Sequence, residues 1–159
     1  MSMFCFQCQE TFKNHGCTVR GVCGKTDDVA NLQDALIFAL KGMANYSSQL
    51  RKVKKVSSEI DGFLFKALFT TITNANFDAK DMVEDIKKAI EYRKSIKAEL
   101  EKEGVTLDPK FEGKPLTTWE FTTKEEAEML APKVGVLRTE NEDVRSLREI
   151  ILYGLKGIS

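Results

Sequence analysis

The chain has 159 residues, and its 24 Lys and Arg balance 24 Asp and Glu to a formal net charge of zero. A chain of this size makes about one domain with a real core, and without a basic excess it has no bulk attraction for nucleic acid. Its longest apolar runs, Ala35 to Leu40 and Phe63 to Phe65 resuming after Lys66, fall far short of the roughly 20 residues that span a bilayer, so neither a membrane nor a nucleic-acid partner is expected.

The first segment, residues 1–26, holds all four cysteines of the chain, spaced Cys5-x2-Cys8-x8-Cys17-x5-Cys23. A thiolate cage needs sulfurs converging on one small volume, and a Cys-x-x-Cys turn followed by two cysteines on a short glycine-containing loop can deliver that. The spacing admits an iron–sulfur cluster or a structural zinc site, the latter built from all four cysteines or from three plus His15. Five residues between Cys17 and Cys23 are looser than most zinc knuckles prefer. Disulfides are the remaining option; the cysteines begin at once, with no secretory pattern ahead of them, and a reducing cytoplasm is the expected compartment.

Several neighbours have two readings each. His15, the only histidine, is expected to be an exposed loop side chain rather than a ligand, because four thiolates complete the site. Arg20 and Lys25 either offset the negative charge of ligated thiolates or are ordinary solvated charges. Gly16, Gly21 and Gly24 would let backbone N–H groups turn toward sulfur. Phe4 and Phe6 either shield the site from water or join the core.

Helical periodicity dominates residues 27–104, which are expected to form an antiparallel three-helix bundle. Thr26 or Asp27 caps a helix from about Asp28 to Lys55, with Val29, Leu32, Leu36, Ala39, Leu40, Met43 and Leu50 inward and lysines and glutamines outward. Ser57 or Ser58 caps a second helix through Ile60, Phe63, Leu64, Ala67, Leu68 and Ile72, ending in the run Thr70 to Asn76. Asp78 caps a third, to about Glu103, with Met82, Ile86, Ala89, Ile90, Ile96 and Leu100 inward and Gly104 as terminator. Residues 105–141 read as a long loop with a brief hairpin, anchored by Trp119 and Phe121, then a short helix from Thr123 that Pro132 ends. The last helix, residues 142–159, starts near Glu142.

That last helix repeats the first. Residues 27–42 align without gaps on residues 142–157, so Val29, Leu32, Asp34, Leu40 and Lys41 correspond to Val144, Leu147, Glu149, Leu155 and Lys156. With one residue inserted the match reaches Gly21-Val22-Cys23 against Gly135-Val136-Leu137, so the second copy carries Leu137 where the first carries a cysteine. A duplicated bundle that stops inside its first helix reads as an N-terminal fragment. Ile150, Ile151, Tyr153, Leu155 and Ile158 are then exposed unless they dock on the first bundle or a second copy of the chain.

The stretches Met3-Phe4-Cys5-Phe6-Gln7-Cys8-Gln9-Glu10-Thr11 and Gly16-Cys17-Thr18-Val19-Arg20-Gly21-Val22-Cys23-Gly24-Lys25 resemble the opening of the hybrid-cluster (prismane) proteins, or hydroxylamine reductases. The similarity continues through Val29-Ala30-Asn31-Leu32-Gln33-Asp34 and Ala39-Leu40-Lys41-Gly42, and returns at Asn141 to Glu149. The resemblance implies an all-α N-terminal domain with a [4Fe-4S] cluster on Cys5, Cys8, Cys17 and Cys23, their compact spacing being the one associated with four irons. It implies electron transfer to a hybrid iron–sulfur–oxygen cluster in later domains, where hydroxylamine becomes ammonia and water or nitric oxide is reduced. No cysteine follows Cys23, so no catalytic residue is expected here, and the fragment alone is expected to be inactive. Its partners would be the C-terminal domains and an electron donor the sequence does not identify. A self-standing ferredoxin-like carrier and a zinc module that mediates assembly are the competing readings.

Overall fold

Residues 3–159 are described by a computed structural model; the first two residues of the cysteine segment lie outside it. The first long helix, α1 (Asp27–Leu50), opens behind Thr26 with Asp27 and Asp28 in its first turn, where carboxylates meet the positive end of the helix dipole. It stops at Leu50, short of the expected Lys55. Beyond Leu50 the only apolar side chain before Val56 is Val53, 54% exposed, whereas Val56 is 3% exposed; the chain turns to bury Val56 instead of extending a helix with nothing to bury.

Helix α2 (Ser58–Thr73) starts where Ser57 accepts the Glu59 N–H at 3.2 Å and ends at Asn74, which takes the left-handed conformation. Helix α3 (Ala79–Lys102) is capped by Asp78, whose carboxylate accepts the Lys80 N–H at 2.8 Å. Such caps each contribute about 1 kcal/mol. Leu32, Leu36 and Leu40 of α1 meet Met82, Ile86 and Ile90 of α3 and Ala67 and Leu68 of α2 in one core. Met43, Tyr46 and Leu50 continue it against Ile60, Ile96 and Leu100. Each of these large side chains contributes about 1.5–3 kcal/mol by leaving water, so the three helices stand or fall together. The all-α expectation is borne out.

The stretch after α3 departs from the hairpin expectation. Among the described residues it contains no strand, and instead a short turn of helix, α4 (Pro115–Thr118), begins with proline, whose missing N–H costs nothing in a first turn. The Thr117 hydroxyl donates to the Phe111 carbonyl at 2.6 Å. Trp119 stacks on Phe121 at 5.3 Å and meets Phe38 edge-on at 6.2 Å, and Arg93 donates to the Trp119 carbonyl at 2.7 Å. These two aromatics are the anchors the sequence indicated. Thr123 and Glu126 form a reciprocal capping box on α5 (Lys124–Glu128), and Pro132 lies inside the next turn, α6 (Ala131–Val134), rather than ending α5.

The last helix, α7 (Glu142–Gly157), starts where Asn141 accepts the Val144 N–H at 3.0 Å, and it packs against α2. Its apolar side is turned outward. Ile150, Ile151, Tyr153, Leu155 and Ile158 are between 42% and 76% exposed. The covered stripe is Arg145, Glu149, Leu152 and Lys156. In α1 the residues equivalent to Val144, Leu147, Ile151, Leu155 and Ile158 are Val29, Leu32, Leu36, Leu40 and Met43, all buried. The same stripe is core in the first copy and surface in the second.

Candidate metal centre

Residues 3–26 form a loop whose two arms are joined by a backbone bridge. Cys5 N–H donates to the Cys17 carbonyl and Cys17 N–H to the Cys5 carbonyl, both at 2.9 Å, an isolated antiparallel bridge that sets these cysteines opposite each other. Gly16 precedes Cys17 at φ +117°, a conformation only glycine adopts readily. A methyl group there would lie 2.5 Å from the Phe4 ring. Cys5 and Cys17 are buried, Cys8 is partly covered and Cys23 is exposed; all four are free thiols.

The structure thus pairs Cys5 with Cys17 and leaves Cys8 and Cys23 more accessible to solvent. Among the described residues, no three His, Cys, Asp or Glu side chains form a ready-made metal cage. His15 is exposed and lines a groove of about 430 Å³ shared with Phe4, Phe6, Leu137 and α7 residues Glu142 and Arg145. The Gly21 N–H donates to the Lys25 carbonyl and the Gly24 N–H to the Gly21 carbonyl, both at 2.8 Å. Those amides close a tight turn and do not face sulfur, which corrects the expectation for Gly21 and Gly24.

The two flanking cations separate cleanly. Arg20 is exposed and donates to the Gly24 carbonyl within its own turn at 3.1 Å. Lys25 is completely buried, with Nζ 3.7 Å from Cys5 Sγ and 2.5 Å from the Gln33 side-chain oxygen. Burial pushes the Cys5 thiol upward, and the Lys25 charge opposes that shift. Gln33 Nε2 and the Thr11 hydroxyl are buried without a hydrogen-bond partner.

Sequence reasoning missed a second buried set. Gln7, between Cys5 and Cys8, is 3% exposed; its amide N–H donates to Asp34 of α1, and its side-chain and backbone oxygens both accept from Lys156 of α7, the backbone one at 3.0 Å. Lys156 is 1% exposed. Burial raises the Asp34 carboxyl to about 7 and lowers the Lys156 ammonium to about 8, the nearby Lys25 charge adding to the second shift. Both groups move toward their neutral forms, as expected where desolvation outweighs attraction. The outward face expected for the glutamines of α1 is therefore wrong at Gln33, which is buried, as are Asn31 and Asp34. The repeat alignment held the only sequence signal for Lys156, as the counterpart of Lys41.

The donor set fits an iron–sulfur group. The loop carries four free thiols, and one of them, Cys5, lies near the two buried lysines, against the single buried carboxylate of Asp34 within the same network. Ligated thiolates would supply the anionic charge that these cations otherwise lack. Unpartnered buried donors at Gln33 and Thr11 also suit an anionic sulfur site.

With that geometry established, comparison with known proteins assigns the class. The model of the Prismane/CO dehydrogenase family matches residues 3–158, so the chain belongs to that family. Hydroxylamine reductases from Thermoanaerobacter pseudethanolicus and Desulfitobacterium hafniense strain DCB-2 are each 51% identical to it over its whole length, covering 28% and 29% of the relatives' own lengths. The hydroxylamine reductase of Clostridium perfringens is likewise 51% identical over all of this chain and 29% of that protein. The chain thus spans under a third of the length of these relatives. The resemblance read from the cysteine loop is borne out, and none of the helices among the described residues is long and apolar enough to cross a membrane.

Proposed function

We propose that Cys5, Cys8, Cys17 and Cys23 hold a [4Fe-4S] cluster, and that this helical domain carries single electrons within a hydroxylamine reductase of the reducing cytoplasm. The observation that supports this best is the burial of Lys25 against Cys5 Sγ, at 3.7 Å, because a fully buried ammonium beside a thiol needs an anion there. A bound cluster of this type supplies reversible one-electron storage with little change of geometry.

The chain's own residues do the rest. The backbone bridge holds Cys5 and Cys17 opposite each other, while Cys8 and Cys23 close the site from the more exposed side. Lys25 offsets thiolate charge, and Phe4 and Phe6, half-buried, limit water. Hydroxylamine reduction to ammonia and water consumes two electrons and two protons. We assign that chemistry, and any nitric oxide reduction, to the hybrid-cluster site of later domains, since no cysteine follows Cys23; this domain alone is predicted to be inactive toward hydroxylamine.

The outward apolar stripe of α7 supports the same reading. Its counterpart on α1 is covered by α2 and α3, so we assign the α7 stripe to equivalent helices in a longer chain, with self-association as the outcome when they are absent.

The deciding experiment is iron, sulfide and zinc analysis of anaerobically purified protein, with visible and EPR spectra before and after dithionite. About four irons and four sulfides, with an EPR signal on reduction, support the proposal. Stoichiometric zinc without sulfide replaces it with a structural module.

A further inference from the structure

The buried lysine near the end of α7 reaches the cysteine loop from the far end of the chain. Lys156 sits on the covered stripe Arg145, Glu149, Leu152, Lys156 of a helix whose other side is exposed. Its ammonium bonds both the backbone carbonyl of Gln7, at 3.0 Å, and the Gln7 side-chain oxygen. Gln7 lies one residue from Cys8 and two from Cys5, and its remaining amide group is held by Asp34.

Three elements thus meet on one glutamine, α7 from the far end of the chain: the cysteine loop, α1 and α7. A methionine at position 156 would fill the same space without burying a charge, so an ammonium here is explained only by what it contacts. The charges nearby point the same way. Lys25 is also buried, lies 3.7 Å from Cys5 Sγ and bonds Gln33 of α1. Glu149 and Asp34, each other's counterparts in the repeat, are both close enough to act on Lys156.

We propose that Lys156 is a positioning residue for the metal centre: it locks the Cys5–Cys8 segment onto α1 through Gln7 and sets a second buried positive charge beside the sulfurs. This rests on the cluster assignment for its electrochemical part only. The lock fixes the backbone between two ligand positions, and the charge favours the more negative, reduced state. The helix that supplies it is the second copy of the repeat, the copy with Leu137 at the position equivalent to Cys23.

The test compares Lys156→Met, Lys156→Gln and, as an exposed control with the same charge change, Lys97→Gln. Two readouts are taken on the 159-residue chain after far-UV circular dichroism has matched helix content. One is the midpoint potential of the iron-loaded chain by EPR-monitored titration. The other is the rate of iodoacetamide alkylation of Cys5 and Cys8 in the metal-free chain, resolved by mass spectrometry. Both Lys156 variants should shift the midpoint to more negative potential, and Lys156→Met should raise the alkylation rate severalfold while Lys156→Gln, which can still donate to the Gln7 carbonyl, raises it less. Wild-type potential and wild-type alkylation in both variants would overturn the proposal. Failure of the wild-type chain to bind iron and sulfide would instead overturn the cluster assignment, and the alkylation comparison would still decide whether Lys156 positions the loop.

Discussion

Replacing Gly16 with alanine probes how the cysteine bridge is built. At φ +117° an L-residue is held outside its allowed region, at a cost of about 1–3 kcal/mol. The new methyl would also lie 2.5 Å and 2.7 Å from two atoms of the Phe4 ring, so the ring must withdraw, adding about 1–3 kcal/mol for overpacking. Gly24→Ala is the matched control. It too has positive φ, at +93°, but nothing lies within 4 Å of its added methyl. Both variants gain the same entropic benefit in the unfolded chain, which cancels in the comparison. Gly16→Ala should therefore be less stable than Gly24→Ala by about 1–3 kcal/mol, or roughly 2–12 °C in melting temperature for a chain of this size. Thermal melts by far-UV circular dichroism under anaerobic conditions measure this, and iron content should fall further in Gly16→Ala, because both glycines adjoin a cysteine but only Gly16 packs against Phe4 beside the Cys5–Cys17 bridge. Equal melting temperatures for the two variants would refute the packing of Phe4 over the bridge.

Two glycines inside helices supply a second pair: Gly42→Ala would put a methyl 2.1 Å from the Leu116 carbonyl oxygen, whereas Gly154, within α7, has nothing within 4 Å. Chemical denaturation should show Gly42→Ala destabilised by about 2 kcal/mol and Gly154→Ala stabilised by up to about 1 kcal/mol. Cys17→Ser and Cys23→Ser should each abolish or convert the cluster while helix content is kept, and His15→Ala should leave the visible spectrum unchanged; four irons retained in both serine variants would remove those cysteines as ligands. Asp34 predicts a pH dependence of the metal-free chain. Its folded-state value of about 7 lies above its ordinary 3.8, so between those values the folded chain keeps a proton that the unfolded chain releases, and stability falls as pH rises through that window. Asp34→Asn should lose this component in urea titrations across pH 4 to 7, and identical pH profiles for the two proteins would show that Asp34 is not held protonated.

The positions of the helices and the four thiols were legible in the chain because both are written in one dimension. Ser57, Asp78, Thr123 and Asn141 cap the helices that follow them, since capping is a contact between neighbours. The cysteine spacing and the 27–42 against 142–157 repeat are equally local patterns. Which polar residues are inside is not local. Lys25, Gln33, Asp34 and Lys156 have the composition of a solvated face, and the helical pattern puts Gln33 of α1 on the outward side. Tertiary packing decided otherwise, because the cysteine loop folds back over α1 and α7 arrives from the far end of the chain to meet it at Gln7. The same sequence stripe that forms the core in α1 faces outward in α7 for a related reason: a helix pattern specifies an apolar side, and only the elements packed around it determine whether that side is covered.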